Sequence, residues 1–358
     1  MRSKNLPALL AAALCSLPLL AACGGSGDVL VLYSPHGPDL LGLFERTYEA
    51  ENPGVDVRWL DMGSQEVYDR VRSERANPQA DVWFGGPATI FARGGEEGLL
   101  AAYRPAWAEA VDAEAAGAGD LYFPAYRTAP VILYNDRAVP RQAVPRDWDD
   151  LLDPRWRDEI LIRDPLASGT MRTWFGMTIA RSVTRTGSPD AGFDWLARFD
   201  VQTKEYVLNP ALMIEKLNRQ EGTVTVWELT DALWQRKRGN PLDFVFPSSG
   251  TPIIVDSIGL VAGAPHGERG RRFIDWVGSR DAQLLAAREA LRIPARNDLP
   301  RGELPEWAQR VLDEIVPADY DRELVERFGA DWMRTWDREI RGRGARRLAE
   351  RTAAASEL

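Results

Sequence analysis

Val29-Leu30-Val31-Leu32-Tyr33-Ser34-Pro35-His36-Gly37, followed by Pro38-Asp39-Leu40-Leu41, is the stretch from which the fold is read. Four apolar residues in a row describe a short, fully buried strand. Ser34 to Gly37 form a tight polar turn. Leu40, Leu43, Phe44, Thr47 and Tyr48 then recur at helical spacing. A buried strand that runs through a polar turn into a helix N-terminus is where open α/β sheets bind ligands, because free N–H groups and the positive helix end face outward there.

The same unit recurs. Val55-Asp56-Val57-Arg58-Trp59-Leu60 alternates like a half-buried strand, and Asp61-Met62-Gly63-Ser64 turns into a helix that Asn77-Pro78 stops. Ala80-Asp81-Val82-Trp83-Phe84 is a third strand, ending in Gly85-Gly86-Pro87. This β-α-β-α-β order argues for an α/β fold with mostly parallel sheets and ligand loops at the carboxyl edge. A second unit begins near Tyr126, with a strand to Tyr134 and another at Glu159–Asp164. There Asp164-Pro165-Leu166-Ala167-Ser168-Gly169-Thr170 opens a helix. Gly222–Trp227 reads as a strand into a turn at Glu228-Leu229-Thr230-Asp231. Residues 242–262 read as extended, a return crossover to the first unit. The end from about 305 is helical and charged, and the Arg-rich tail from Arg341 reads as a solvated helix or as disordered.

The first residues stand apart. Arg2 and Lys4 precede an apolar run, Leu6 to Leu20, too short for a convincing membrane span, and Leu20-Ala21-Ala22-Cys23 ends it. That is a secretory signal. Gly24-Gly25-Ser26-Gly27 follows as a tether. Beyond residue 23 there is no cysteine, which excludes disulfides and thiolate metal sites from the folded part. Without Arg2 and Lys4, 42 basic residues face 53 acidic ones, a net charge of −11. Nucleic acid is therefore not an expected partner. A helix-terminus site still binds an anion locally, whatever the net charge.

Catalytic signatures are missing from the sequence. Only His36 and His266 are histidines, and no HExxH, Walker loop, GxGxxG after a strand or GxSxG elbow occurs. His266, within Gly263-Ala264-Pro265-His266-Gly267, reads as part of a surface turn. His36 has two readings, a ligand contact or a hydrogen bond to local backbone. Ser168 also has two, a helix cap or a hydroxyl aimed at ligand, and they are compatible. Trp83, Trp174 and Trp227 read as core, with Trp227 placed at a strand end where it can line a cleft. Micromolar binding needs roughly 8 kcal/mol, and charge-assisted hydrogen bonds contribute roughly 1.5–3 kcal/mol each. Four or five donors from two facing turns suffice for an anion, and one turn does not.

With these features in view, the chain resembles the substrate-binding proteins of bacterial ABC importers. It looks like the branch that includes ferric-iron, 2-aminoethylphosphonate and sugar-phosphate binders. Leu32–Gly37, Ala80–Gly86, Tyr134-Asn135, Asp164-Pro165 with Ser168-Gly169-Thr170, and Gly250-Thr251-Pro252 with Asp256 and Gly263–His266 carry the likeness over about residues 28–300. It implies a two-lobed type II periplasmic-binding fold with two crossover strands. The expected layout is a lipoprotein signal at 1–22, a tether at 23–27, lobe 1 at 28–126, lobe 2 at 127–250, a return to lobe 1 at 251–300, and a C-terminal helical segment and tail at 301–358. Cys23 is similar to a lipobox cysteine, so a lipid anchor in the cell envelope is expected, on the periplasmic or extracellular face. The resemblance also implies a monomer that delivers a small ligand to an ABC permease in the membrane, without a cofactor.

The expected ligand-binding residues are Ser34, His36, Gly37, Ser64, Gly86, Ser168, Gly169, Thr170, Trp227 and Glu228. Iron-binding members use an early histidine, a glutamate after the third strand and an adjacent tyrosine pair. His36 fits the first, but Gly85 and Gly86 stand in place of the glutamate, and Trp227-Glu228 stands near the tyrosine position. A hard ferric ion prefers anionic oxygen ligands. The expectation is therefore a small organic anion such as a phosphate or phosphonate ester, with Glu228 meeting a hydroxyl or amine. A ferric-ion carrier with His36 as a metal ligand is the alternative, and a secreted two-lobed enzyme using His36 with a carboxylate is the alternative of another class.

Overall fold

The apolar run at Val29–Tyr33 is the middle of β1 (Asp28–Ser34), the strand on which the first sheet is assembled. The structure is a computed structural model and describes residues 28–356; the signal segment and Cys23 lie outside the described residues. After β1 come α1 (Gly37–Glu51), β2 (Val55–Asp61), α2 (Ser64–Ser73), β3 (Val82–Pro87), α3 (Ala88–Glu96), the short β4 (Leu100–Ala101) and β5 (Phe123–Thr128). β1 pairs in parallel with β2 on one side and β3 on the other. Leu30 and Leu32 pack under α1 with Leu40, Phe44, Phe84 and Phe273. Tyr33 packs on the opposite face with Val67, Tyr68, Trp83 and Phe91. Both faces of the strand are covered, which is why its sequence is continuously apolar rather than alternating.

At Ala129 the chain passes directly from β5 into β6 (Pro130–Asn135) of a second sheet. That lobe continues with β7 (Ile160–Arg163), α4 (Gly169–Thr186), α5 (Asp190–Gln202), β8 (Thr203–Val207), α6 (Pro210–Asn218), β9 (Val224–Glu228), α7 (Leu229–Lys237) and β10 (Leu242–Val245). The chain then returns as β11 (Ile254–Val261), α8 (Gly267–Val277), α9 (Arg280–Glu289) and β12 (Ile293–Pro294). The two crossings are tied together: the Thr251 hydroxyl donates to the Pro130 carbonyl at 2.6 Å, and Trp148 Nε1 donates to Gly250 O at 2.9 Å.

Strand order is β12-β5-β11-β3-β1-β2, with β4 beside β11, in the first sheet and β10-β6-β9-β7-β8 in the second. The strands linked by helices run parallel, as βαβ connections require. The crossover strands β5, β6, β10 and β11 pair antiparallel. A chain that leaves one sheet for the other re-enters in the opposite sense, so each sheet is parallel on its βαβ side and antiparallel on its hinge side.

After α10 (Glu306–Glu314) the chain passes back to lobe 2 with α11 (Arg322–Glu339) and α12 (Gly344–Ser356). α11 packs on α4, with Trp332, Met333, Trp336 and Ile340 buried in the lobe 2 core, and α12 packs on α5. The segment from Arg341 is thus docked helix rather than a solvated or disordered tail. Its arginines find carboxylates on lobe 2: Arg347 and Arg351 both pair with Asp194. His266 also departs from expectation. It is half-buried, and its Nδ1 lies 3.1 Å from the buried Asp81 carboxylate, which accepts from Val31 N and His266 N as well.

Candidate functional site

The carboxyl ends of both sheets face one another across the gap between lobes. Ser34 is fully buried at the end of β1, and its hydroxyl accepts from His36 N at 3.2 Å. His36 is 6% exposed, with its ring edge-on to Phe84 at 4.6 Å and to Tyr126 at 5.8 Å. The ring lies flat on the backbone of Gly85: a Cβ there would stand 2.5 Å from His36 Nε2, and Gly85 has φ +100°. Only glycine meets both demands. Burial, followed by repulsion from Arg292, holds the imidazole well below its usual protonation range.

Arg292 joins the lobes. It precedes β12 in lobe 1 and follows Leu291, whose φ of +54° is the left-handed region a leucine rarely adopts. Its guanidinium donates Nη2 to His36 O at 2.8 Å and faces Glu228 Oε1 of lobe 2 from Nη1 at 3.4 Å. Around it stand more carboxyls than one cation neutralises. Glu228 is pushed up to about 8, by burial first and then by Asp231. Asp256 is pushed up to about 6 by burial, while Arg292 and the Gly86 N–H pull it back. Asp231 is raised by burial and accepts from Trp227 Nε1 at 2.8 Å. Asp61 is raised by burial against the opposing Gly37 N–H. Asp256 lies opposite Tyr126 across the β11–β5 ladder. Three buried atoms in this cluster have no hydrogen-bond partner: His36 Nε2, Tyr126 OH and Arg292 Nε. Orphaned polar atoms are costly singly, and three together describe a place that an occupant completes.

Beside Asp256 three helix N-termini meet. A Cβ on Gly86 would lie 3.3 Å from Ser64 Cβ at the start of α2. One on Gly169, which starts α4 of lobe 2, would lie 2.7 Å from Pro87 Cδ and 3.2 Å from Ser64 Cβ. Pro87 is the N-cap of α3. A Cβ on Gly63 would lie 2.9 Å from Ala167 O of lobe 2 and 3.6 Å from Arg163 Nη2. The lobes are closed here, with first-turn N–H groups of α2, α3 and α4 pooled in one place.

Of the residues expected from sequence, Ser34, His36, Gly37, Trp227 and Glu228 fall in the carboxyl cluster, and Ser64, Gly86 and Gly169 at the helix termini. Ser168 is a cap, its hydroxyl accepting from Met171 N at 3.3 Å. Thr170 is half-buried in the first turn of α4. Trp227 is buried and holds Asp231 through its indole N–H. Arg292, Asp256, Tyr126 and Asp231 were not among the expected ligand-binding residues. Asp231 sits in the first turn of α7, directly after β9, and was within reach of the strand–turn–helix pattern. Arg292 follows an ordinary helix end and carries no local signal.

Residues 80–314 match the family model described as bacterial extracellular solute-binding protein. The chain belongs to the bacterial extracellular solute-binding proteins. These are transport proteins, not enzymes, and act outside the cytoplasm, capturing small solutes for ABC importers. A Sinorhizobium fredii protein named as a candidate ABC-transporter periplasmic-binding protein is 27% identical over 333 residues, 91% of this chain and 90% of that one. A Salmonella typhimurium protein named as a candidate 2-aminoethylphosphonate-binding periplasmic protein is 28% identical over 253 residues, 69% of this chain and 71% of that one. The solved periplasmic binding protein AfuA of Actinobacillus pleuropneumoniae, with fructose-6-phosphate bound, superposes with a TM-score of 0.76 at 25% identity, over 87% of this chain and 98% of that one. The two-lobed type II fold expected from sequence is thus the fold this chain shares with its family. No helix among the described residues is long and apolar enough to cross a membrane.

Proposed function

We propose that this solute-binding protein encloses a small phosphate- or phosphonate-bearing solute that also carries an amine or hydroxyl group. The oxyanion sits at the pooled N-termini of α2, α3 and α4, where Ser64, Gly169 and Thr170 offer N–H and hydroxyl donors. The amine or hydroxyl meets Glu228 and Asp256. One observation carries this reading: Asp256 of the buried acid cluster around Arg292 accepts from the Gly86 N–H beside the start of α3, so an electropositive end and an acidic end adjoin. A bare anion uses only the first, whereas 2-aminoethylphosphonate or a sugar phosphate uses both. Binding of an ammonium also resolves the crowding of Glu228, Asp231 and Asp256.

The ferric alternative is less well served. Among the described residues no group of three His, Cys, Asp or Glu side chains is arranged to hold a metal ion. Burial drives the Tyr126 phenol well above its usual range, against tyrosinate formation. Delivery is to an ABC permease by a monomer held to the membrane through lipid on Cys23.

Titration calorimetry of the purified protein with 2-aminoethylphosphonate, fructose-6-phosphate, ethylphosphonate and ferric citrate tests the reading. The expected order places either bifunctional ligand at least tenfold tighter than ethylphosphonate, a difference of about 1.4 kcal/mol. Equal affinity for ethylphosphonate, or a tyrosinate–iron absorption band with ferric citrate, overturns it.

A further inference from the structure

The loop that leads into α4 is held from the far end of the chain. Asp164 is 2% exposed and closes the loop on itself: its Oδ1 accepts from Leu166 N at 2.8 Å, and its carbonyl accepts from Ala167 N at 3.2 Å and Ser168 N at 3.1 Å. Its second carboxylate oxygen pairs with Arg341 Nη2 at 2.5 Å, across 177 positions of sequence. Arg341 is fixed in turn. Its Nη1 reaches Asp337 Oδ1 at 3.1 Å, and its guanidinium lies over Tyr206 and Trp336, 5.6 and 5.7 Å from the ring centroids. The turn that follows is pinned by Asp200, whose two oxygens accept from Gly342 N and Gly344 N at 2.9 Å each, with Tyr206 OH on the first at 2.8 Å. Residues 341–344 lie beyond the stretch that the family model matches, which ends at 314.

We propose that Arg341 is a positioning residue for the ligand cleft. Through Asp164 it sets the course of residues 164–168 and so the aim of the Gly169 and Thr170 N–H groups. The C-terminal turn thereby tunes affinity without touching solute. The physical reason is the buried carboxylate. Paired, Asp164 spends one oxygen on the loop and one on the guanidinium. Unpaired, it is a buried charge that swings toward water, and that change releases Leu166 N. The link to affinity rests on the ligand reading above, while the link to loop conformation does not.

The test compares wild type, Arg341→Met, Arg341→Lys and the double variant Asp164→Asn with Arg341→Met. Hydrogen exchange of peptides covering 164–171 is followed in ligand-free protein, with peptides of α1 and β2 as internal reference. Arg341→Met is expected to speed exchange in 164–171 at least about tenfold at pH 7.5, with the reference peptides unchanged. Arg341→Lys and the double variant restore most of the protection, since a lysine keeps the charge and an asparagine needs none. Affinity for 2-aminoethylphosphonate weakens about tenfold in Arg341→Met and recovers in the double variant. Unchanged exchange at 164–171 in Arg341→Met overturns the proposal whatever binds. Faster exchange with unchanged affinity for a probe that wild type binds overturns the link to the cleft. If wild type binds none of the probes, the ligand reading falls and the exchange arm alone decides the positioning role. Should Arg341→Met fail to fold, the double variant is read for the same peptides: a double variant that folds with 164–171 protected supports the proposal, and one that also fails to fold, or folds with 164–171 unprotected, overturns it.

Discussion

Replacing Arg292 with methionine should change the stability of this protein by an amount that depends steeply on pH. Among the described residues Arg292 is the cation in direct contact with Glu228, at 3.4 Å, and it also donates to the His36 carbonyl at 2.8 Å. The signs follow from the shifts. Glu228 stands near 8 against an ordinary 4.5, and Asp256 near 6 against 3.8. An acid whose folded value is raised binds more protons folded than unfolded, so wild-type stability falls as pH rises from about 4 toward 8. Arg292 restrains that fall by favouring the ionised forms. At pH 5 Glu228 and Asp256 are both neutral in the folded protein, and the guanidinium faces neither as a charge. Its bond to His36 then roughly offsets its own desolvation, and the substitution costs under about 1 kcal/mol. At pH 8.5 Asp256 is ionised and Glu228 largely so; removing the cation strands them and costs about 3 kcal/mol. That difference corresponds to about two further pKa units spread over the two acids, at about 1.4 kcal/mol each. Urea unfolding of both proteins at half-unit steps from pH 5 to 8.5 reads the difference. Two parallel curves would show that Arg292 and the carboxyls are not coupled and would refute the reasoning.

Three further outcomes follow from the same geometry. Gly85→Ala places a Cβ 2.5 Å from His36 Nε2 at φ +100°, and should destabilise by at least about 2 kcal/mol in chemical denaturation; a neutral result would mean that the ring does not rest on this backbone. Binding of an ammonium-bearing ligand at pH 7 should release up to about one proton, because Glu228 near 8 must ionise to pair with it; calorimetry in buffers of differing ionisation enthalpy measures this, and proton uptake would contradict it. The exposed inter-lobe pair Arg238–Asp39, 2.6 Å apart, should contribute under about 1 kcal/mol. Arg238→Ala is therefore expected to raise Kd less than fivefold, and a larger loss would make it a true latch.

Much of the first lobe is legible residue by residue, because its signals are local. The run Val29–Tyr33 is apolar on both faces since helices cover both sides of its sheet, and the glycines at 85 and 86 mark a close approach. β8 escapes such reading: Thr203-Lys204-Glu205-Tyr206-Val207 is an edge strand with polar residues turned to solvent, and its pattern resembles a loop. The Arg-rich end escapes for the opposite reason. Its charges look solvated until the carboxylates of α5 and the loop after β7 are brought beside them.

The candidate site divides along the same line. Strand–turn–helix units announce where backbone N–H groups will be free, so the sequence alone points to the turns at Ser34–Gly37, Asp61–Ser64, Gly85–Pro87, Asp164–Thr170 and Trp227–Asp231. It also supplies the α/β plan and, through the family resemblance, the two lobes. What it does not contain is the partner of each turn. Arg292 reaches His36 from 256 positions away and Glu228 from 64. Asp256 meets Gly86 only because β11 returns from the other lobe to lie against β3. A carboxyl becomes a functional group here through burial and neighbours, and both are properties of the closed tertiary structure. The turns were therefore written in local sequence, and the charge balance of the cleft was decided only when the crossing chain brought one arginine among four acids.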